Sequence, residues 1–137
     1  EALCDLVKGT DILLISDDVY EHMVFDGQQH LSFVSYDELY QRSFVVSSFG
    51  KTYHATGWKV AYSIAPPALT AEFRKVHQFV TFTTPPALQL AIADYMRQAP
   101  EHCDELAGFY QAKRYLFNNS MKDSRFSLSH LAALISS

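Results

Sequence analysis

Two lysines close together are the first residues whose types and spacing could do chemistry. The stretch 47–59 reads SSFGKTYHATGWK, so Lys51 follows a glycine and Lys59 lies eight positions further on. A lysine amine can form a Schiff base with a carbonyl compound, and a lysine that stays charged can hold an anionic group. The spacing therefore raises the question of why a mildly acidic chain places two amines so close together.

A second polar loop, SDDVYEH, brings acids and a tyrosine after the apolar run DILLIS. In open α/β sheets, ligands bind beyond the carboxyl ends of the strands. That rule selects this loop and SSFGKTYH, because each follows a predicted strand. Together they contain what a pyridoxal phosphate site requires: a lysine amine, an acid for the pyridine nitrogen, and donors or cations for the phosphate.

The surrounding pattern predicts strands first and helices later. EALCDLVKG indicates a short helix ended by Gly9, and a helical turn is expected near 36–40. DILLIS, SFVVSSF and WKVAYSIAP have strand length, and runs that are apolar on both faces favour the interior of a parallel sheet. Amphipathic helices are predicted over 68–79, 86–97 and 100–119. The fold class is therefore an α/β sheet with helical cover, followed by a helical segment.

Composition and net charge limit the classes of binding partner that we expect. The chain has 137 residues, is 48% hydrophobic and carries a formal net charge of -4. It has no block of like charges, so neither nucleic acid nor an anionic membrane surface is an expected partner, and a small polar or charged metabolite is favoured. No apolar run approaches the ~20 residues of a membrane span.

Cysteine and histidine usage points to a reducing compartment and to no metal site. Cys4 and Cys103 form no CxxC pair, which fits unpaired thiols in the cytoplasm. His30, His54 and His77 lack metal-ligand spacing, and packing or surface positions are expected for all three. Because the chain begins without methionine and ends on the short apolar patch HLAALISS, we expect it to be a fragment.

Several ordered motifs carry a family resemblance. D-x-V-Y, then S-x-G-K-T and G-W-K-V, resemble the pyridoxal-phosphate-dependent aminotransferases of fold type I, class I/II. SDDVYEHMVFDG, SSFGKTYHATGWKVAY and RKVHQ are similar to the branch of methionine, kynurenine and glutamine aminotransferases, and the match covers about 11–114.

The resemblance implies part of the large domain of that fold, a mostly parallel sheet with helices, leading by a long helix into the small C-terminal domain. It places the large-domain part at 1–98, and the connecting helix with the start of a truncated small domain at 99–137. It also implies pyridoxal 5'-phosphate as cofactor and a homodimer.

The resemblance further implies roles for individual residues. Lys51 would form the Schiff base with the cofactor and then carry the proton of the reaction, Asp17 would pair with the pyridine nitrogen, and Tyr20 would donate to the phenolic oxygen. The alternatives are a solvated lysine, a capping or ion-paired aspartate, and a tyrosine packed in the core.

The remaining assignments concern packing, phosphate and the dimer. Val19 would lie against the cofactor ring, and Ser48 and Lys59 would bind the phosphate. A turn serine and a strand-edge charge are their alternatives. Phe82 falls where this branch presents an aromatic side chain across the dimer interface toward the neighbouring active site.

The implied reaction is transfer of an amino group from an amino acid to a 2-oxo acid, with methionine or another large uncharged or aromatic amino acid as donor. C–S β-elimination and aminocyclopropane-carboxylate synthesis on the same fold stay open, as does a non-catalytic cofactor-sensing module. Several family elements have no counterpart here, among them the N-P-T-G asparagine and the C-terminal arginine. We therefore expect the isolated chain to bind the cofactor weakly or not at all and to show no turnover.

Overall fold

The computed structural model describes residues 2–129. Three strands and six α-helices form the described part of the chain, together with two 3₁₀ turns. The strands are β1 (Leu14–Asp17), β2 (Ser43–Ser48) and β3 (Ala61–Ile64). The helices are α1 (Ala2–Val7), α2 (Asp37–Tyr40), α3 (Phe49–Thr52), α4 (Pro67–Val80), α5 (Pro86–Gln98) and α6 (His102–Ser120), and the 3₁₀ turns are Phe33–Ser35 and Thr56–Trp58.

The three strands form one sheet in the order β1-β2-β3. β1 runs parallel to β2, with Asp17 opposite Val46, and β3 returns antiparallel to β2, with Ala61 opposite Ser48. The β2–β3 connection holds only α3 and a 3₁₀ turn. It reverses the chain at the carboxyl end of β2 instead of crossing the sheet, so this pairing is antiparallel. As a result, the loop after β1 and the whole β2–β3 connection lie at the same end of the strands.

The sheet buries one face more completely than the other. Along β2, Ser43, Val45 and Ser47 are buried, whereas the alternate side chains are half-buried. The apolar core consists of Val7, Met23, Phe25, Leu39, Val45, Val60, Ile92 and Leu106. On the opposite face, Phe73 of α4 packs against Phe44, with ring centroids 5.9 Å apart.

The expectation that DILLIS is buried on both faces is wrong for the described residues. Ile12, Leu13 and Ile15 are 50%, 60% and 79% exposed. β1 is an edge strand of this sheet, and Ile15 lies on the face opposite the core, paired in register with Phe44. An apolar run predicts that cover is needed, but it does not say which segment supplies the cover.

The predicted helices are present with small shifts at their ends, and Pro67 and Pro86 begin α4 and α5 at the position where proline suits a helix. One helix was not predicted. The strand SFVVSSF was expected to include Phe49, but it ends at Ser48, whose hydroxyl accepts a hydrogen bond from the Gly50 N–H and caps α3.

The predicted boundary between domains 1–98 and 99–137 falls in the link between α5 and α6 and stays a prediction. Residues 130–137, which contain the HLAALISS patch, lie outside the described residues. Within residues 2–129, no helix combines the length and the apolar character needed to cross a membrane.

Candidate active site

The turn that carries Lys51 is held from both ends. Ser48 caps its start, and the Tyr53 N–H donates to the Phe49 carbonyl at 2.9 Å to close its end. The Thr56 hydroxyl donates to the Gly50 carbonyl at 3.0 Å, which ties the turn to the following 3₁₀ segment. A four-residue helix cannot be stable alone, so these bonds fix its direction and the direction of the lysine.

Glycine is required at position 50 because the chain packs on itself there. A Cβ built on Gly50 would lie 2.9 Å from the Thr56 Cα, which is backbone and cannot move aside cheaply. We expect Gly50→Ala to lower the free energy of unfolding by about 1–3 kcal/mol, measured by urea denaturation. Gly57→Ala is the matched control, since no atom lies within 4 Å of its added Cβ. Equal stability of the two variants would contradict this account of the turn.

The side chain of Lys51 lines a cavity beside Tyr20. The lysine Nζ lies 5.9 Å from the centre of the Tyr20 ring, and the lysine side chain is exposed. The cavity has a volume of about 420 Å³ and is lined by Tyr20, Met23, Gly50, Lys51, His54, Thr56 and Tyr110. An accessible amine and a phenol therefore share one concave site.

The acidic pair at the end of β1 consists of an exposed aspartate and a buried one. Asp17 is exposed, and its Oδ1 accepts a hydrogen bond from the Val19 N–H at 3.2 Å. Asp18 is only 5% exposed, and its oxygens contact the Ser16 hydroxyl at 2.6 Å and the His30 Nε2 at 3.1 Å. The buried carboxylate of the pair is therefore Asp18, and Asp17 is the exposed one.

Burial of Asp18 is compensated by its partners. Burial alone would raise the pKa of this carboxyl, but hydrogen bonds with Ser16, Ser32 and His30 outweigh it, so the pKa is lowered from its ordinary value. Asp18 is therefore a charged anchor that pins the loop, whereas Asp17 stays open to a ligand.

Glu21 fixes the other end of the same loop. Its Oε1 accepts hydrogen bonds from the Tyr62 hydroxyl at 2.7 Å and the Ser47 hydroxyl at 3.0 Å. Burial, together with the nearby Glu21 carboxylate, raises the pKa of Tyr62 to about 12 against an opposing contribution from a hydrogen bond with Ser47. Because Asp18 and Glu21 are both anchored, Tyr20 and the half-buried Val19 between them are held in place.

Ser48 and Lys59 belong with Asp17 on one face of the sheet. Asp17 and Ser48 are the register partners of Val46 and Ala61. Lys59 lines a groove of about 560 Å³ on that face, together with Val46 and Ala61. The structure thus places the predicted residues in two groups: Lys51 and Tyr20 around the cavity, and Asp17, Ser48 and Lys59 on this face.

Lys59 has an unusual backbone conformation, and Ser48 has a hydroxyl with one short hydrogen bond. Lys59 has a φ of 56°, an uncommon conformation for a residue with a side chain. The Ser48 hydroxyl accepts from the Gly50 N–H at 3.0 Å, while its contact with the Val60 carbonyl is long at 3.4 Å. Its hydrogen can therefore rotate toward another acceptor.

Phe82 lies apart from the cavity, in the turn between α4 and α5. Its side chain is 78% exposed, and its φ of 65° is unusual for an aromatic residue.

Sequence reasoning missed part of the cavity wall. His54, expected to be a packing or surface residue, is exposed and also lines the cavity, with a φ of 54°. Tyr110 reaches the cavity from α6, far along the chain, and no local motif marks it. Proximity to Lys51 in the sequence was the only available signal for His54.

The cysteines and the potential metal ligands can be located among the described residues. Cys4 and Cys103 are both free. Across residues 2–129, no group of three or more histidine, cysteine, aspartate or glutamate side chains is arranged to hold a metal ion.

Comparison with known proteins identifies the family. The pattern of the family "Aminotransferase class I and II" matches residues 1–134. The chain belongs to the class I and II aminotransferases.

Named aminotransferases resemble the chain in sequence. A methionine aminotransferase of Escherichia coli is 47% identical over 127 residues, which cover 93% of this chain and 33% of that protein. A kynurenine–oxoglutarate transaminase of Dictyostelium discoideum is 37% identical, over 88% of this chain and 29% of its own length. The aminotransferase chain thus spans about one third of the length of these curated relatives.

Solved aminotransferases share the fold. A crystal structure from Escherichia coli, described as having a methionine aminotransferase function, superposes with a TM-score of 0.86 at 48% identity, covering 90% of this chain and 33% of its own. An N-succinyldiaminopimelate aminotransferase of Mycobacterium tuberculosis gives a TM-score of 0.86 at 26% identity, over 96% of this chain and 34% of its own. The predictions of the family and of the fold type I class are thereby confirmed.

The residues of this aminotransferase chain fit the cofactor that the family uses. Pyridoxal phosphate needs an accessible amine, an acid without a competing cation, a phenol, and a hydroxyl with a cation for its phosphate. Lys51 is exposed in the cavity, and among the ion pairs of residues 2–129 none involves Asp17, Lys51 or Lys59. The donor set is therefore available as well as chemically suitable.

Proposed function

We propose that the complete polypeptide carrying this chain transfers an amino group from an amino acid to a 2-oxo acid with pyridoxal 5'-phosphate. The observation that carries the proposal is the exposed Lys51 amine beside Tyr20, at the sheet edge where the open carboxylate of Asp17 ends β1. Family membership supports the reaction class.

When bound, pyridoxal phosphate supplies an electron sink for the carbanion that forms at the substrate α-carbon. Lys51 would hold the cofactor covalently before the substrate arrives, and its released amine would take the proton from the substrate α-carbon as general base and deliver it, as general acid, to C4′ of the cofactor. Asp17 keeps a proton on the ring nitrogen by electrostatic attraction. Tyr20 donates a hydrogen bond to the phenolic oxygen.

Ser48 and Lys59 hold the phosphate on this proposal. The serine offers a hydroxyl whose hydrogen can rotate, and the lysine offers a positive charge. Val19, half-buried between the anchors Asp18 and Glu21, packs against the ring face.

We further propose that the amino donor is methionine or another large uncharged or aromatic amino acid. Support comes from the 47% identity with the Escherichia coli methionine aminotransferase and from the kynurenine transaminase relatives.

The free state of both cysteines supports a reducing compartment such as the cytoplasm.

A homodimer is part of the proposal, with Phe82 at the interface near the neighbouring active site. Its exposure and its unusual backbone conformation support this role, because strain of this kind clusters at functional positions.

The reaction itself is tested by incubating the complete polypeptide with pyridoxal phosphate, methionine and a panel of 2-oxo acids. We expect the amino acid corresponding to the 2-oxo acid to accumulate, as measured by mass spectrometry. A cysteine conjugate is the comparison substrate. Release of pyruvate and ammonia from it, without formation of a new amino acid from any 2-oxo acid, would replace transamination by β-elimination.

A further inference from the structure

His102, in the first turn of α6, contacts the lysine-bearing turn directly. Its Nε2 lies 2.7 Å from the Thr52 carbonyl oxygen, although 50 positions separate the two residues. Its ring stacks on Tyr53, with centroids 5.1 Å apart and an interplanar angle of 17°. Thr52 ends the S-x-G-K-T motif, whereas His102 belongs to none of the sequence motifs that indicated the site.

The bond from His102 completes the hydrogen bonding at the end of α3. The last four carbonyls of a helix have no partner within it. Here the Phe49 and Lys51 carbonyls accept from Tyr53, the Gly50 carbonyl accepts from Thr56, and the Thr52 carbonyl accepts from His102. Three of the four are thus satisfied locally, and the fourth depends on α6.

The partners of His102 determine which nitrogen carries the hydrogen. A carbonyl oxygen can only accept, so Nε2 must be protonated. Nδ1 lies 3.3 Å from the Tyr95 hydroxyl, which can donate to it when the ring is neutral. Tyr95 also packs edge-on against both Tyr53 and the His102 ring, at centroid distances of 5.7 and 5.4 Å. The ring is therefore held by stacking, by an edge contact and by two hydrogen bonds.

We propose that His102 is a positioning residue for Lys51. By holding the Thr52 carbonyl, it fixes the end of α3 and so keeps the lysine amine in the cavity beside Tyr20. It also makes the position of the lysine depend on the position of α6. The proposal rests on the proposed function, because a fixed amine matters only if Lys51 is the reacting group.

The test compares two substitutions of His102 in the complete polypeptide. His102→Phe keeps an aromatic ring against Tyr53 but removes the donor, whereas His102→Gln keeps an N–H donor at a similar reach. His77→Phe is the control, since His77 lies on α4 with its ring 5.4 Å from Phe73. NMR supplies two readouts: the exchange rate of the Tyr53 amide, which closes α3, and the ring-current shift that Tyr20 imposes on the Lys51 side chain.

We expect His102→Phe to speed exchange of the Tyr53 amide by up to about tenfold, as loss of one hydrogen bond allows. It should also move the Lys51 side-chain shifts toward those of a free lysine. His102→Gln should restore both readouts, and His77→Phe should leave both unchanged. Unchanged readouts in His102→Phe, or no recovery in His102→Gln, would overturn the proposal. Equally faster exchange at Val46 would overturn it too, because that result indicates a general structural role.

A separate measurement isolates the proposed function. Pyridoxal phosphate is added to the unsubstituted complete polypeptide, reduced with borohydride, and its attachment site is mapped by mass spectrometry. Absence of label on Lys51 would contradict the proposed function. Failure of the His102 proposal would appear only in the exchange and shift data.

Discussion

Lys51→Ala in the complete polypeptide is expected to reduce kcat for transamination by roughly 10²–10⁴-fold. That range is the usual contribution of a positioned general acid and base, and loss of covalent attachment adds to it. The physical reason is that Lys51 is the amine in the cavity beside Tyr20, whereas Lys59 lines a different groove. Steady-state kinetics with methionine and a 2-oxo acid measure the effect.

Two other lysines provide the comparison for this variant. Lys75→Ala removes an exposed lysine of α4 that pairs with Glu72, and its activity should match that of the unsubstituted protein. Lys59→Ala should weaken pyridoxal phosphate binding and leave residual turnover at saturating cofactor. Full activity of Lys51→Ala would exclude this lysine as the reacting group.

Asp17→Asn is expected to lower kcat by roughly 10²–10³-fold while the stability of the fold changes by no more than about 0.5 kcal/mol. Asp17 is exposed, so removing its charge leaves no buried group without a partner. The amide cannot hold the proton on a pyridine nitrogen as a carboxylate does. Kinetics and urea denaturation of the same preparation separate the two effects.

Asp18→Asn is the matched comparison, with the opposite expected outcome. Asp18 is buried and hydrogen-bonded, so its replacement should cost about 1–3 kcal/mol of unfolding free energy. The folded-state pKa of Asp18 lies below its ordinary value of 3.8, so its charge stabilises the fold above that pH. The contribution is lost as the pH falls through the folded-state pKa. The stability difference from the unsubstituted protein should therefore shrink in acid.

Two results would contradict this division of the acidic pair. One is a large loss of stability in Asp17→Asn with normal kinetics. The other is a stability difference for Asp18→Asn that is as large in acid as at neutral pH.

Local sequence predicted the elements of the fold well. Proline at the start of α4 and α5 and the apolar spacing along them indicated both helices, because these signals act over one or two turns. The strand end at Ser48 was placed one residue too late. Ser48 could either extend the strand or cap a helix. It caps the helix because its hydroxyl accepts a hydrogen bond from the Gly50 N–H, and the residue types alone do not reveal that outcome.

Sequence by itself also predicted which residue types make up the candidate site. D-x-V-Y, S-x-G-K-T and G-W-K-V place an acid, a phenol, an amine and a cation after strands, where ligands of α/β sheets bind. Such motifs are readable because neighbours in the chain supply most of the groups. The family and the fold class followed from them, and the comparisons confirmed both.

Only the tertiary structure decided which of these groups are open and what holds them. It buried Asp18 against Ser16 and His30 and left Asp17 exposed, although the two acids are adjacent in the chain. It also brought Tyr110 and His102 of α6 to the Lys51 turn. The physical reason is that burial and long-range hydrogen bonds depend on which elements pack together, and no local pattern of residue types specifies that.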